Sequence, residues 1–118
     1  MNGTGRILMN RRTSILSMLF MVISSHAYAN SGWTDYARVA ELVASSRHYY
    51  EVRLPVTENP SGCKNKTWFY QEYDMPGSDK MYNTILESIK SGLRIRVYVT
   101  GRCNLNDYSE ISSVSVIP

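Results

Sequence analysis

The chain has 118 residues and a formal net charge of +3. Three of its thirteen basic residues precede residue 30 and no acidic residue does, so the remainder carries ten basic and ten acidic side chains. A nucleic-acid-binding domain needs a net basic face, and a neutral remainder gives no sign of one. The charge balance therefore argues against a nucleic-acid partner.

The N-terminal segment has the pattern of a secretory signal peptide. Two arginines precede an apolar run over residues 15–23, and an Ala-Tyr-Ala segment follows it. A membrane anchor needs about twenty apolar residues, roughly twice this run. We therefore expect residues 1–29 to be removed, whether translation starts at Met1 or at Met9. Residues 30–118 are expected to form one domain, secreted or periplasmic.

Two cysteines, Cys63 and Cys103, lie in the predicted mature domain. A single pair in an oxidising compartment indicates a disulfide, whereas the zinc-finger spacing of ligands and a recognisable nucleophile motif are both missing. A domain of this size leaves roughly a third of its unfolded surface exposed after folding. A bridge that closes a loop of about 41 residues would add roughly 4 kcal/mol of stability.

Alternating apolar and polar residues predict five strands, which turn-forming residues separate. The clearest is the segment after Gly92, where Leu93, Ile95, Val97 and Val99 share one face. The predicted strands are residues 39–44, 49–54, 67–73, 93–100 and 111–117.

One helix is predicted between the third and fourth strands. Ser78 supplies an N-cap oxygen and Gly92 suits the C-terminal cap. Apolar residues at three-to-four spacing define a stripe expected to face the core, and the opposite face is polar. That polar face is solvated by default, or it lines the pore of an oligomer. The apolar stripe comprises Met81, Tyr82, Ile85, Leu86 and Ile89, and the polar face comprises Lys80, Asn83, Thr84, Glu87 and Lys90.

The order of three strands, one helix and two strands is that of the OB-fold. We therefore expect a mainly β (α+β) domain, built as a five-stranded barrel with its helix between strands three and four.

No catalytic set is visible in the predicted mature chain, which we expect not to be an enzyme. It has one histidine, His48, and no phosphate-binding glycine loop, nucleophile elbow or zinc-binding histidine pair. We therefore expect no metal and no cofactor. An acid pair of the glycosidase type stays open, although scattered acids matched by bases are typical of a solvated surface.

Tyrosine is frequent, with eight residues after the predicted leader. A tyrosine combines a large apolar ring with a polar tip, which suits interfaces and stacking on sugars. For Tyr50, Tyr70 and Tyr82, packing within the domain is the alternative.

Short motifs resemble those of one group of bacterial toxins. Residues 32–35, Gly-Trp-Thr-Asp, resemble the Trp-Thr-Gly-Asp opening of subtilase-cytotoxin and typhoid-toxin B subunits, shortened by one glycine. Residues 89–98 are similar to that family's helix end, glycine and Val-Arg-Ile strand. The Pro-Gly-Ser turn at residues 76–78 and the later Leu-Arg-Ile strand and cysteine are similar to cholera-toxin-type B subunits. The chain thus resembles the B subunits of AB5-type toxins, closest to the subtilase cytotoxin and typhoid toxin family.

This resemblance implies an OB-fold, a homopentamer and an enzymatic A chain whose tail enters the central pore. It also implies binding of host cell-surface glycans, for which we expect sialylated glycans. Asp35 lies in the matching motif, so the resemblance implies that it contributes to glycan binding. Its neighbours Trp33 and Tyr36 offer an aromatic face and a hydroxyl. Subtilase-type members place a sialic-acid-binding serine about ten residues after the tryptophan, where this chain has Val43.

Two other functions stay open at this point. One is a monomeric OB-fold module that binds a protein partner in the periplasm. The other is a small secreted glycan hydrolase that uses an acid pair.

Overall fold

The computed structural model describes residues 30–118, and the predicted signal peptide lies outside the described residues. The described part is mainly β with one helix, which confirms the predicted fold class at this level. Its elements are β1 (Gly32–Trp33), β2 (Glu41–Val43), β3 (Tyr49–Arg53), β4 (Trp68–Glu72), α1 (Ser78–Ser91), β5 (Arg94–Cys103) and β6 (Ser109–Ile117).

The strands form one mixed sheet in the order β1-β5-β6-β4-β3-β2. All neighbours are antiparallel except β4 and β6, which run parallel. The ladder pairs describe an open sheet of six strands with β1 and β2 at its edges. They do not by themselves close the sheet into the expected five-stranded barrel.

The two edge strands follow each other in the chain, and the segment between them bonds to both sides of the sheet. Ala37 exchanges two backbone hydrogen bonds with Ile95 of β5, each 2.9 Å long. Three residues later, the N–H of Ala40 donates to the carbonyl of Arg53 at the end of β3. Residues 34–40 therefore run from one edge of the sheet to the other.

The five predicted strands all exist, with shifted ends. β5 continues three residues beyond the predicted end at residue 100, and β6 begins two residues before residue 111. Strand β1 was not predicted, because two residues are too few to show an alternating pattern.

The hydrophobic core lies between the inner face of the sheet and helix α1. Alternate residues of β5 point inward, so Ile95, Val97 and Val99 are fully buried. Ile85 is the fully buried apolar residue that the helix contributes. The buried core comprises Tyr50, Val52, Leu54, Val56, Phe69, Ile85, Ile95, Val97, Val99 and Ile111.

The ends of the helix differ in how well they were predicted. The N-cap is Gly77 in the left-handed conformation (φ 78°), so the prediction of Ser78 as N-cap was wrong. Ser78 is the first helical residue, and its hydroxyl is buried without a hydrogen-bond partner. At the other end Gly92 is the C-cap (φ 65°) and donates its N–H to the carbonyl of Ser88, which confirms the prediction.

The apolar stripe of α1 was only partly predicted. Ile85 is buried, but Leu86 and Ile89 are 36% and 44% exposed. Two serines, Ser78 and Ser88, are buried in their place. The buried face of the helix is therefore rotated away from the most apolar side, which leaves apolar side chains at the surface.

Candidate functional site

A disulfide joins Cys63 and Cys103, as predicted, with their Cα atoms 5.8 Å apart. Cys63 lies in the segment before β4 and is buried, whereas Cys103 is the last residue of β5 and is exposed. The bridge therefore anchors the end of β5, where the connection to β6 begins.

A cavity of about 400 Å³ opens beside this end of β5. We call it the loop pocket. Its walls come from the start of β3, from β4 and from the β5–β6 connection. It is lined by His48, Tyr49, Tyr70, Glu72, Cys103, Asn104, Leu105 and Asn106.

One wall of the loop pocket is aromatic. The rings of Tyr49 and Tyr70 meet edge to face, with centroids 6.1 Å apart, and the imidazole of His48 meets Tyr49 at 5.2 Å in the same way. The ladder sets Tyr49 of β3 opposite Glu72 of β4, so a carboxylate belongs to the same wall. Arg47 donates a hydrogen bond to the hydroxyl of Tyr49 (3.1 Å), which orients that phenol.

The opposite wall is a loop that Asn104 organises. The side-chain oxygen of Asn104 accepts hydrogen bonds from the N–H groups of Asn106 and Tyr108, both 3.0 Å long. Asp107 occupies the left-handed conformation (φ 60°), and its N–H donates to the carbonyl of Asn104. These bonds fix the loop locally, while Leu105 at its tip is fully exposed.

The electrostatics of the pocket favour a neutral phenol at Tyr70. Burial raises the pKa of Tyr70, and the nearby carboxylates of Glu110 and Glu72 raise it further, against the opposing effect of Arg102. The hydroxyl therefore stays a hydrogen-bond donor at neutral pH. With Glu72 as an acceptor and aromatic faces beside them, these groups can bind a ligand that presents both hydroxyl groups and C–H surface.

Sequence reasoning did not find this pocket, because its residues come from three separate segments and no motif connects them. The frequency of tyrosine was the one signal in the sequence. It suggested stacking on sugars without showing which tyrosines lie together.

The predicted glycan-binding residues Trp33, Asp35 and Tyr36 lie elsewhere on the sheet. Trp33 and Tyr36 are brought together around Arg96, whose guanidinium carbon is 4.5 Å and 5.0 Å from the two ring centroids. The ring of Trp33 also meets Tyr98 edge to face at 5.4 Å. We call Trp33, Tyr36, Arg96 and Tyr98 the aromatic cluster.

Asp35 does not join the aromatic cluster through its carboxylate, which instead holds a loop. Its oxygens accept hydrogen bonds from the N–H of Glu58 (2.9 Å) and from the N–H and hydroxyl of Thr57 (3.1 Å and 2.9 Å). Burial raises the pKa of Asp35, but these hydrogen bonds outweigh that effect, so the net pKa lies below its ordinary value. The geometry indicates that Asp35 positions residues 57 and 58.

The predicted pore-facing residues lie on the outer side of α1. Four of them are exposed and Thr84 is half-buried, with its hydroxyl donating to the carbonyl of Lys80 (2.9 Å). The full set is Lys80, Asn83, Thr84, Glu87 and Lys90.

Across residues 30–118, no helix is long and apolar enough to cross a membrane. Comparison with known proteins adds no relative, because no family model matches the chain and no significant match was found among curated proteins or solved structures.

Proposed function

We propose that the protein is a secreted or periplasmic glycan-binding B subunit of the AB5-toxin type. In this proposal it assembles as a homopentamer, recognises host cell-surface glycans and carries an enzymatic A chain. The observation that supports glycan binding is the loop pocket, which combines aromatic rings, a carboxylate and amide groups in one cavity of about 400 Å³.

The chemistry of the loop pocket suits a sugar. One face of a pyranose presents C–H groups that pack on aromatic rings such as Tyr49 and Tyr70, while its hydroxyl groups need both acceptors and donors. Glu72 offers an acceptor, the phenol of Tyr70 offers a donor, and the amides of Asn104 and Asn106 add further polar groups. The cavity volume lies at the lower end of the range for small-molecule sites, as a mono- or disaccharide requires.

The OB-fold is part of the proposal, and three observations support it. The helix lies between β4 and β5, and the last strand runs parallel to β4. The segment between β1 and β2 bonds to β5 through Ala37 and to β3 through Ala40. A single bent first strand would join the two edges of the sheet in this way and make a five-stranded barrel.

The pentamer is supported by the surfaces that the single chain leaves open. Leu86 and Ile89 expose apolar surface on the helix. A ring of identical subunits would cover such surfaces repeatedly. Five weak sites on one ring would also bind a glycan-covered surface far more tightly than one site.

The alternative functions have less support in the structure. A glycan hydrolase needs two carboxylates that face one bond, and Glu72 is the only carboxylate among the residues that line the loop pocket. A monomeric module for a protein partner is favoured only by exposed apolar residues such as Leu105.

A glycan array with the protein covering residues 30–118 tests the proposal. We expect wild-type binding, and at least a tenfold weaker signal for Glu72→Gln and Tyr49→Ala, because each removes one direct contact with the sugar. Glu41→Gln is the matched control, since it removes an equal charge from the exposed edge strand β2. An array without any signal would contradict glycan binding. Equal binding by wild type, Glu72→Gln and Tyr49→Ala would show that the site lies outside the loop pocket.

A further inference from the structure

The wall of the loop pocket carries an unpaired carboxylate. Glu72 is the one acidic residue of the lining, and neither a lysine nor an arginine lines the cavity. Among residues 30–118 the only ion pair joins Arg53 to Glu41, so no basic side chain lies within ion-pair distance of Glu72. The charge of Glu72 is therefore available to a ligand, and it favours a ligand with a positive group.

The electrostatic potential is negative at Tyr70 as well. Burial is the largest cause that raises the pKa of Tyr70, and the charge of Glu110 is the next. The effect of Glu110 on this pKa exceeds the opposing effect of Arg102, and Glu72 raises the pKa further. The charges around this phenol therefore disfavour an anion and favour a cation beside it.

Two arginines lie near the loop pocket, but neither is among its lining residues. The guanidinium of Arg47 donates a hydrogen bond to the hydroxyl of Tyr49 and is attracted by Glu51. Arg102 is exposed, so solvent screens its charge. The negative charge of the pocket wall is therefore not cancelled by these two side chains.

Two tyrosine rings form a corner beside Glu72. The planes of the Tyr49 and Tyr70 rings lie at 77° to each other, with centroids 6.1 Å apart. The ladder places Tyr49 opposite Glu72 on the neighbouring strand. The face of a tyrosine ring attracts an ammonium group that lies within about 6 Å, and aromatic cages recognise organic cations in this way. The corner thus combines ring faces with a carboxylate, both of which stabilise an ammonium group.

We propose that the loop pocket binds an amino sugar with a free, protonated amino group, which lies between the carboxylate of Glu72 and the ring of Tyr49. The side-chain amides of Asn104 and Asn106 offer donors and acceptors to the hydroxyl groups of the sugar. This inference rests on the proposed glycan-binding function and specifies the class of sugar. Glu72 would repel the carboxylate of a sialylated glycan, so a glycan of that class needs a different site.

NMR titration of the protein covering residues 30–118 at pH 7 tests the inference. The three sugars are glucosamine, glucose and N-acetylglucosamine, which differ only in the amino, hydroxyl or acetamido group at one carbon. We expect glucosamine to bind about tenfold more tightly than the other two, as one cation–π contact and one charge-assisted hydrogen bond imply. The amide signals of Asn104 and Asn106 should shift with glucosamine. Choline, an ammonium compound without a sugar ring, should bind more weakly than glucosamine.

Variants test the two groups that contact the ammonium. Glu72→Gln should abolish the preference for glucosamine over glucose. Tyr49→Leu should reduce this preference, whereas Tyr49→Phe should retain it because the ring face is kept. The control Glu41→Gln removes an equal charge from the edge strand β2 and should also retain it. Where a variant does not fold, the order of affinities for the wild type decides the question.

Three results would overturn the inference: equal affinity for glucosamine and glucose, an unchanged preference in Glu72→Gln, or choline binding as tight as that of glucosamine. The third would mean that the pocket recognises an ammonium group without a sugar. Glucose binding that shifts the Asn104 and Asn106 signals would leave the proposed function intact in the first case. Failure of every saccharide to bind would contradict both.

Discussion

The disulfide between Cys63 and Cys103 links a buried residue of the segment before β4 to the rim of the loop pocket. Cys103 directly precedes Asn104, whose side chain organises the β5–β6 connection. A second link joins the same two segments, since the N–H of Asn65 donates to the carbonyl of Asp107. The disulfide therefore stabilises the domain and the shape of its candidate site together.

The first prediction concerns this disulfide. The double variant Cys63→Ala/Cys103→Ala should lower the free energy of unfolding by roughly 4 kcal/mol, because the unfolded chain is no longer restrained by a closed loop. Urea denaturation measures the loss. Saccharide binding at the loop pocket should weaken in the same variant, even under conditions where it is fully folded.

Mass spectrometry after alkylation provides the control. Exported wild-type protein should take up no alkylating reagent before reduction and two equivalents afterwards. Two free thiols in material that was never reduced would contradict the bridge.

The second prediction concerns Asp35, which the sequence suggested as a glycan ligand. Asp35→Ala should destabilise the fold by about 1 kcal/mol near neutral pH, by analogy with the loss of a carboxylate that caps backbone N–H groups. Because the folded pKa of Asp35 lies below the unfolded value of about 3.9, this contribution is fully present above pH 4 and disappears as the pH falls through the folded pKa.

Urea denaturation of wild type and Asp35→Ala between pH 2 and pH 7 measures this dependence. The difference in unfolding free energy should shrink below about pH 4. A difference that is constant with pH, or no destabilisation at pH 7, would show that the hydrogen bonds to Thr57 and Glu58 contribute nothing to stability.

The strands were predictable because they depend on the local alternation of apolar and polar residues. The disulfide was predictable because it depends on an oxidising compartment. In β5, Ile95, Val97 and Val99 alternate with polar residues, and the structure buries all three. The chain has a single pair of cysteines and the sequence pattern of an exported protein. Their pairing could therefore be predicted without knowing the structure.

The helix face and the candidate site were harder, because both depend on tertiary contacts. Apolar spacing predicted that Leu86 and Ile89 face the core, yet the helix buries the small Ser88 and leaves both apolar residues exposed. Trp33 and Tyr36 were identified, but their shared contact with Arg96 exists only because β1 pairs with β5. The register of strands that lie far apart in sequence cannot be read from local pattern.

The third prediction concerns assembly. Light scattering at micromolar concentration should give the mass of five subunits. Ile89→Lys should shift the protein toward monomer, because a charge on exposed apolar surface opposes burial in an interface. Leu105→Lys is the control, since it places the same charge on the exposed β5–β6 loop. A stable monomer for the wild type would contradict the pentamer.

The last prediction concerns Tyr50, a core residue whose ring contacts Tyr73 and Tyr82 at centroid distances of 5.7 Å and 5.2 Å. Its hydroxyl is buried and lacks a hydrogen bond of acceptable geometry. Burial raises the pKa of Tyr50 to about 12, although the nearby Ser78 hydroxyl offsets part of the rise. Tyr50→Phe keeps the ring and removes this unsatisfied group.

We expect Tyr50→Phe to be neutral or up to about 1 kcal/mol more stable than wild type at pH 7. Because the folded pKa exceeds the unfolded value of about 10, wild type loses stability as the pH rises from 10 toward 12, and the variant lacks this loss. Its advantage in urea denaturation should therefore increase between pH 9 and pH 11. Tyr98→Phe removes a hydroxyl from a half-buried position and serves as the control. Destabilisation by more than 1 kcal/mol at pH 7 would instead mean that the Tyr50 hydroxyl is hydrogen-bonded in solution, with Ser78 as the nearest candidate partner.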